Sequence, residues 1–266
     1  MSSSETAIRV ENLTMAYGGR VIQRNLDFEV RRGDIFIVMG GSGCGKSTLL
    51  RHLTGLARPA AGRVWLDGRD FWAAAEPERA AMLRRTGILY QSGALWSSMT
   101  LAENVALPLE NYTSLPKDEI ARLVSLKLAL VGLAGFESFY PAELSGGMRK
   151  RAGLARAMAL DPEILFFDEP SAGLDPVSAK LLDDLILQLR DSLGATIVVV
   201  THELASIFAI GTNAVFLDAG ARTQIATGSP RELLEHCPNP AVQRFLRRGL
   251  PPPPPKSETR IPERET

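Results

Sequence analysis

Residues 40–48, "GGSGCGKST", carry the most specific chemistry in the chain. They fill the pattern G-x-x-x-x-G-K-[ST], with Gly40, Gly45, Lys46 and Ser47 at its fixed positions, Gly41, Ser42, Gly43 and Cys44 between them, and Thr48 after them. The strand-like run "DIFIVM" enters the segment and the helical "STLLRHL" leaves it, so a tight loop delivers the chain to a helix N-terminus. Backbone N–H groups at such a place point at an anion, and the helix dipole adds partial positive charge. The loop is therefore expected to surround the β- and γ-phosphates of a nucleotide, with Lys46 neutralising them and the Ser47 hydroxyl on Mg²⁺. A plain glycine turn would require neither the lysine nor the hydroxyl. Cys44 is read as loop packing; the competing reading is a redox sensor, because a helix N-terminus lowers a thiol pKa.

Magnesium at a phosphate loop calls for a carboxylate on a neighbouring strand. "ILFFDEP" supplies it, four apolar residues followed by Asp168 and Glu169. Asp168 is expected to hold the ion. Glu169, one residue further on, should point elsewhere by strand alternation, toward the place where water attacks the γ-phosphate, and is expected as the general base. Paired carboxylates often do no more than solvate a strand end, but in α/β sheets that end is also where ligands bind. A second glycine-bearing segment, "LSGGMRKRAGLARAMALDP", starts at Leu144: Ser145, Gly146 and Gly147 run into a basic, alanine-rich stretch of helical character. It too has the make-up of a phosphate-holding loop. The chain thus has two such loops, and the second needs an explanation.

The elements that must position these residues read as an α/β protein. Short alternating or apolar runs broken by turns, "IRVENLTMAY", "VIQRNLDFEV" and "IFIVMG", predict strands, and "GRVWLDGRD" predicts a hairpin around Asp67 and Gly68. From about Thr100 to Ala159 the apolar spacing is mostly helical. "EILFFDEP" and "ATIVVVTHE" are apolar runs of strand length with the helical "PVSAKLLDDLILQLRDSLG" between them, as in a parallel sheet covered by helices. "NAVFLDAGARTQIATG" predicts a further hairpin.

The 266 residues, 45% of them apolar, can bury a large core. Thirty basic residues balance thirty acidic ones, which argues against nucleic acid as the main partner. The two cysteines, Cys44 and Cys237, lack the spacing of a zinc site or a disulfide framework and fit a reducing compartment. No signal peptide or spanning helix is expected, so action at a membrane would require another chain to cross it. The N-x-[ST] matches at Asn12 and Asn111 carry no weight in a cytosolic protein. Residues 251–266, opening with five prolines, are expected to be an extended mobile tail, with 1–250 forming the folded domain and a helical subdomain at about 92–160.

With these residues assembled, the chain resembles the ATP-binding subunit of ABC transporters over residues 7–235. Tyr17, the loop at Gly40, Gln91, "LSGGM", "FFDEP" followed by "SAGLD", and His202 after "VVVT" stand in the family's order. The resemblance implies a P-loop nucleotide-binding domain with a parallel core sheet, an N-terminal antiparallel β part and an inserted helical subdomain. It implies a homodimer packed head to tail around two ATP, in which Ser145, Gly146 and Gly147 of one chain face the nucleotide of the other. It also implies that Tyr17 stacks on adenine, that Gln91 touches Mg²⁺ and the attacking water, that His202 contacts the γ-phosphate, and that Asp175 links the two sites. His52 and His236 are read as structural.

Within the superfamily, "LSGGMRKRAGLARAMALDPEILFFDEPSAGLDP" and "YQSGALWSSMTLAENVALPL" resemble the ATPases of phospholipid transport systems that work with mammalian-cell-entry-type substrate-binding proteins. Met148 stands where the common signature has glutamine, and a thioether cannot replace an amide's hydrogen bonds. The implied partners are integral membrane permease subunits and a substrate-binding protein of that type, with the ATPase peripheral on the cytoplasmic face of the inner membrane. "VQRFLRRG" is similar to the tail with which that group grips the neighbouring ATPase, whereas the five prolines after it depart from the pattern. Two alternatives stay open: an ATPase of another transporter branch, such as an amino-acid importer or lipoprotein exporter, and a non-transport ABC ATPase.

Overall fold

The computed structural model describes residues 5–248. The chain begins with β1 (Thr6–Tyr17), β2 (Arg20–Arg31), β3 (Ile35–Gly40), α1 (Lys46–Leu53), β4 (Ala61–Leu66), β5 (Arg69–Asp70), α2 (Glu76–Arg84) and β6 (Thr86–Leu89). A helical stretch follows, with α3 (Leu101–Tyr112), α4 (Lys117–Leu130), a 3₁₀ turn over Pro141–Glu143, and α5 (Gly146–Ala157). The chain then alternates through β7 (Ile164–Asp168), α6 (Pro176–Leu193), β8 (Thr196–Val200), α7 (Leu204–Ile210) and β9 (Asn213–Asp218). It closes with β10 (Thr223–Gly228), α8 (Pro230–His236) and α9 (Pro240–Leu246). The expected proline-rich tail lies outside the described residues.

Two sheets organise these elements. Strands β2-β1-β4-β5 form an antiparallel sheet, and β10-β9-β3-β8-β7-β6 form a second sheet, parallel except for its β10 edge. The second sheet is covered on both faces, which is why its strands read as continuous apolar runs. In β3, Ile35, Ile37 and Met39 enter one core while Phe36 and Val38 enter the other; Leu165 and Phe167 divide from Ile164 and Phe166 in the same way along β7. The first core is closed by α3, α4, α5, α6 and α9, the second by α1 and the inner face of the antiparallel sheet. The phosphate-loop strand is thereby clamped between both.

Both expected hairpins form, β4 with β5 and β9 with β10, and the stretch expected to be helical folds as α3, α4 and α5. Helix α3 starts at a reciprocal cap in which Thr100 Oγ1 accepts from the Glu103 N–H at 3.2 Å and Glu103 Oε2 accepts from the Thr100 N–H at 2.7 Å. Residues between Asp70 and Thr100 show no periodic signal in the sequence, yet they contain α2 and β6. Met82 is the one residue of α2 that is buried, so this helix rides on the surface and has no apolar stripe to read.

Candidate functional site

A cleft of about 540 Å³ opens where β3 turns into α1. Gly40, Gly41, Ser42, Gly43, Gly45, Lys46, Ser47 and Thr48 line one side of it, and Gln91, Glu169 and His202 another. Gly40 is fixed by sterics. Its φ is +149°, and a Cβ there would lie 2.3 Å from the Leu217 carbonyl oxygen and 2.7 Å from Cys44 Sγ. Gln23, fully buried on β2, anchors the loop from beneath by donating from Nε2 to the carbonyls of Cys44 (2.6 Å) and Asp218 (3.0 Å). Cys44 itself is buried under the loop, and that burial pushes its thiol pKa up against the pull of Lys46. The activated thiol that a helix N-terminus would create is therefore not what the fold produces.

Lys46 Nζ donates to the carbonyls of Gly40 (3.1 Å) and Gly41 (3.2 Å), which holds its charge over the loop. The Ser47 hydroxyl donates to Asp168 Oδ1 at 3.2 Å. Asp168 does not come from the strand next to the loop: β8 lies between β3 and β7. The carboxylate still reaches Ser47 because it stands at the C-terminal end of β7, level with the start of α1. Burial raises the Asp168 pKa, with the Ser47 hydrogen bond opposing.

Glu169 departs from the alternation argument. It lies beyond the end of β7, and its φ of +49° puts it in the left-handed region, which is strained for a side chain of this size. Its N–H donates to the Val200 carbonyl at 2.8 Å. This backbone turn, rather than strand pleating, swings the carboxylate into the cleft, where His202 Nδ1 lies 2.8 Å from Oε2. His202 itself follows β8 by two residues and is half exposed. Gln91 likewise follows β6 by two residues.

Other expected site residues stand apart from the cleft. Ser145 caps α5, its Oγ accepting from the Met148 N–H at 3.2 Å, and neither it nor Gly146 nor Gly147 lines the cleft. A Cβ on Gly146 would meet nothing closer than 3.7 Å, so crowding within the chain does not account for glycine there. Asp175 caps α6 by accepting from the N–H groups of Val177 (3.1 Å) and Ser178 (3.0 Å), and hydrogen bonding to Ser178 lowers its pKa. Tyr17 is 57% exposed at the end of β1, and its hydroxyl accepts from Arg51 of α1 at 3.3 Å. Met148, in the first turn of α5, packs partly buried against the first core.

Two cleft residues went unread in the sequence. Ile22 of β2 lines the mouth, and Arg248, just beyond α9, donates to the His202 carbonyl and stacks 4.3 Å from the Phe245 ring. Ile22 belongs to no motif, and Arg248 stands in "VQRFLRRG", a segment whose resemblance points to the neighbouring ATPase rather than to this cleft. Phe245 packs edge-on against Phe216 of β9, ring centroids 5.1 Å apart, and this contact helps bring Arg248 to the phosphate loop.

A glycine loop between a parallel strand and a helix, with a carboxylate on its serine, defines a P-loop nucleoside-triphosphate hydrolase. Residues 23–172 match the family model described as ABC transporter. The intermembrane phospholipid transport system ATP-binding protein MlaF of Haemophilus influenzae is 40% identical over 87% of this chain and 87% of its own. A probable ribonucleotide transport ATP-binding protein of Mycobacterium leprae is 40% identical over 90% of this chain and 68% of its own. Two dimeric structures of the ABC transporter cassette MJ0796, one a post-hydrolysis state bound to ADP and Pi, share 28% identity over 84% of this chain and 98% of theirs, with TM-scores of 0.76 and 0.74. The chain belongs to the ABC transporter family and is an ATP-binding, ATP-hydrolysing cassette. No described helix is long and apolar enough to cross a membrane.

Proposed function

We propose that two copies of this chain close head to tail around two ATP and drive a membrane permease that moves phospholipid between the inner and outer membranes. Each triphosphate is held by residues 40–48 of one chain, with Lys46 on its charge and Tyr17 against the adenine. Ser145, Gly146 and Gly147 of the second chain present N–H groups and a helix N-terminus to the γ-phosphate. Glu169 accepts a proton from the attacking water, while His202 and Gln91 orient the γ-phosphate and that water. Asp175 sits on the loop joining one site to the other. Loss of the bridging phosphoryl group opens the dimer, and the permease follows.

The donor set suits Mg²⁺: a hydroxyl (Ser47) and an amide (Gln91) line the cleft, and a carboxylate (Asp168) accepts from that hydroxyl just behind it, all of them hard oxygen ligands. When bound with ATP, the ion neutralises charge that builds on the β- and γ-oxygens. Ser47, Asp168 and Gln91 would hold it.

The observation that most supports the shared site is the division of labour between the two glycine loops. One lines the cleft, and the other caps α5 outside it with no steric need for glycine. Phospholipid as cargo rests on the 40% identity to MlaF across most of both chains. A nucleotide cargo is the second reading, because the mycobacterial relative is equally identical over its aligned region. Purification from membranes, with mass spectrometry of partners and bound small molecules, decides between them. We expect a multi-span permease, a one-span substrate-binding protein of mammalian-cell-entry type and phospholipid; bound ribonucleotide other than ATP, or ribosomal partners, would overturn the cargo assignment. In such a complex the cassette is peripheral, on the cytoplasmic face of the inner membrane.

A further inference from the structure

Helix α5 does more than present Ser145. Halfway along its first two turns stands Lys150, only 6% exposed, an unusual place for an ammonium group. Its Nζ donates to the carbonyl of Ala172 at 2.6 Å and reaches that of Glu169 at 3.4 Å. The Ala172 N–H donates to the same Glu169 carbonyl at 3.2 Å, so lysine and backbone close one tight turn immediately after the strained residue. Burial lowers the Lys150 pKa while the negative charge of Glu169 pushes back, as expected for an ammonium packed behind a carboxylate-bearing loop.

The other end of α5 grips the Gln91 loop. Arg156 donates from Nη1 to the Ala94 carbonyl (2.6 Å) and from Nη2 to that of Gly93 (3.1 Å). A Cβ on Gly153 would stand 2.8 Å from the Gly93 carbonyl oxygen, so helix and loop are in direct contact. One rigid helix therefore touches three segments: the loop at Ser145, the turn after Glu169, and the loop after Gln91.

We propose that Lys150 is a positioning residue that couples the two nucleotide sites, holding Glu169 in its left-handed conformation through the 169–172 turn and transmitting to it the seating of Ser145, Gly146 and Gly147 on the partner's nucleotide. This rests on the shared-site reading above. Without the lysine the Ala172 carbonyl loses its buried donor, the Glu169 carbonyl keeps only the Ala172 N–H, and Glu169 can relax away from φ +49°. The chain would still bind ATP and still dimerise, but the reacting groups would no longer be set by closure.

The test is a set of full-length variants assayed for ATP turnover and, with a non-hydrolysable ATP analogue, for dimerisation by light scattering. Lys150→Met, nearly isosteric but without donors, is expected to lower kcat about tenfold or more, leave KM within about twofold, reduce the cooperativity of turnover in ATP, and dimerise like wild type. Lys150→Arg, which keeps charge and donors, is expected to recover most of kcat. Turnover of Lys150→Met within twofold of wild type, or a joint loss of dimerisation and kcat that Lys150→Arg does not mend, would overturn the proposal. If the wild-type chain itself stays monomeric with the analogue, the shared-site reading fails instead. Should Lys150→Met not fold, hydrogen exchange on wild type decides: amides of 146–148 and of 170–174 should slow together as the analogue drives closure, and independent responses would sink the coupling.

Discussion

The imidazole of His202 straddles the carboxylate of Glu169, with Nδ1 at 2.8 Å from Oε2 and 2.9 Å from Oε1. A carboxylate can only accept, so Nδ1 carries the proton of this pair. A neutral imidazole has a single N–H, and one proton cannot serve Glu169 and a γ-phosphate at once. That N–H serves either Glu169 or the proposed phosphate contact, and passing from one to the other turns the ring. In both cases His202 and Glu169 act as a unit. His202→Ala should lower kcat on the order of 10²-fold, the cost of losing one donor aimed at developing charge, with ATP affinity little changed. Single-turnover kinetics beside equilibrium titration would separate the two effects, and equal losses in both would assign His202 to binding.

Glu169→Gln keeps the shape of the side chain and removes its capacity to accept a proton. Turnover should fall by about 10²–10⁴-fold while ATP still binds, so that an ATP-loaded dimer accumulates. Size-exclusion chromatography with phosphate-release assays checks this. A variant that keeps turning over at near wild-type rate would show that the base is elsewhere.

Lys46→Ala removes the cation that sits over the Gly40 and Gly41 carbonyls. ATP binding should weaken about tenfold or more, which corresponds to about 1.4 kcal/mol. Titration calorimetry reads it directly, and unchanged binding would detach the loop from the nucleotide.

The phosphate loop, the carboxylate strand end and the alternation of apolar runs were legible because each is local: a spacing, a period, a turn. The orientation of Glu169 was not, since a left-handed φ at a glutamate follows from the tertiary bonds of its neighbours, among them the Val200 carbonyl and the Lys150 ammonium. Lys150 itself reads as one more charge in a basic helix, and burial is invisible in a charge pattern. Arg248 reaches the cleft through the packing of Phe245 on Phe216, a contact between residues distant along the chain. Helix α2 escaped notice for the opposite reason, having too little buried surface to leave a pattern.

Beyond Gln91 the chain exposes Trp96, 58% accessible, and Ser97, on the loop that Arg156 ties to α5. In the proposed transporter, this held loop with its exposed tryptophan is where the permease would meet the cassette. A photo-crosslinker at Ser97 in membranes should capture a multi-span chain. Recovery of soluble partners alone would place the membrane contact elsewhere.

Asp183 offers a stability test away from the cleft. It lies on α6 with Oδ2 accepting from Ser206 of α7 at 2.8 Å, while Oδ1 is buried without a hydrogen-bond partner. Burial raises its pKa, Asp184 adds to the rise, and the Ser206 bond and Lys180 oppose it. A carboxyl whose pKa is raised by folding keeps its proton more tightly in the folded chain. Its contribution is therefore fully present below the unfolded-state value and is lost as pH climbs through the folded-state value. Asp183→Asn cannot ionise, so its Tm should exceed that of wild type at neutral pH, by about 2–4 °C for each kcal/mol of relieved desolvation, and the two should converge as pH falls below the ordinary carboxylate range. Scanning calorimetry from acid to neutral pH measures the difference. A variant less stable than wild type at neutral pH would mean that the ionised carboxylate holds α6 to α7 more strongly than its desolvation pushes them apart.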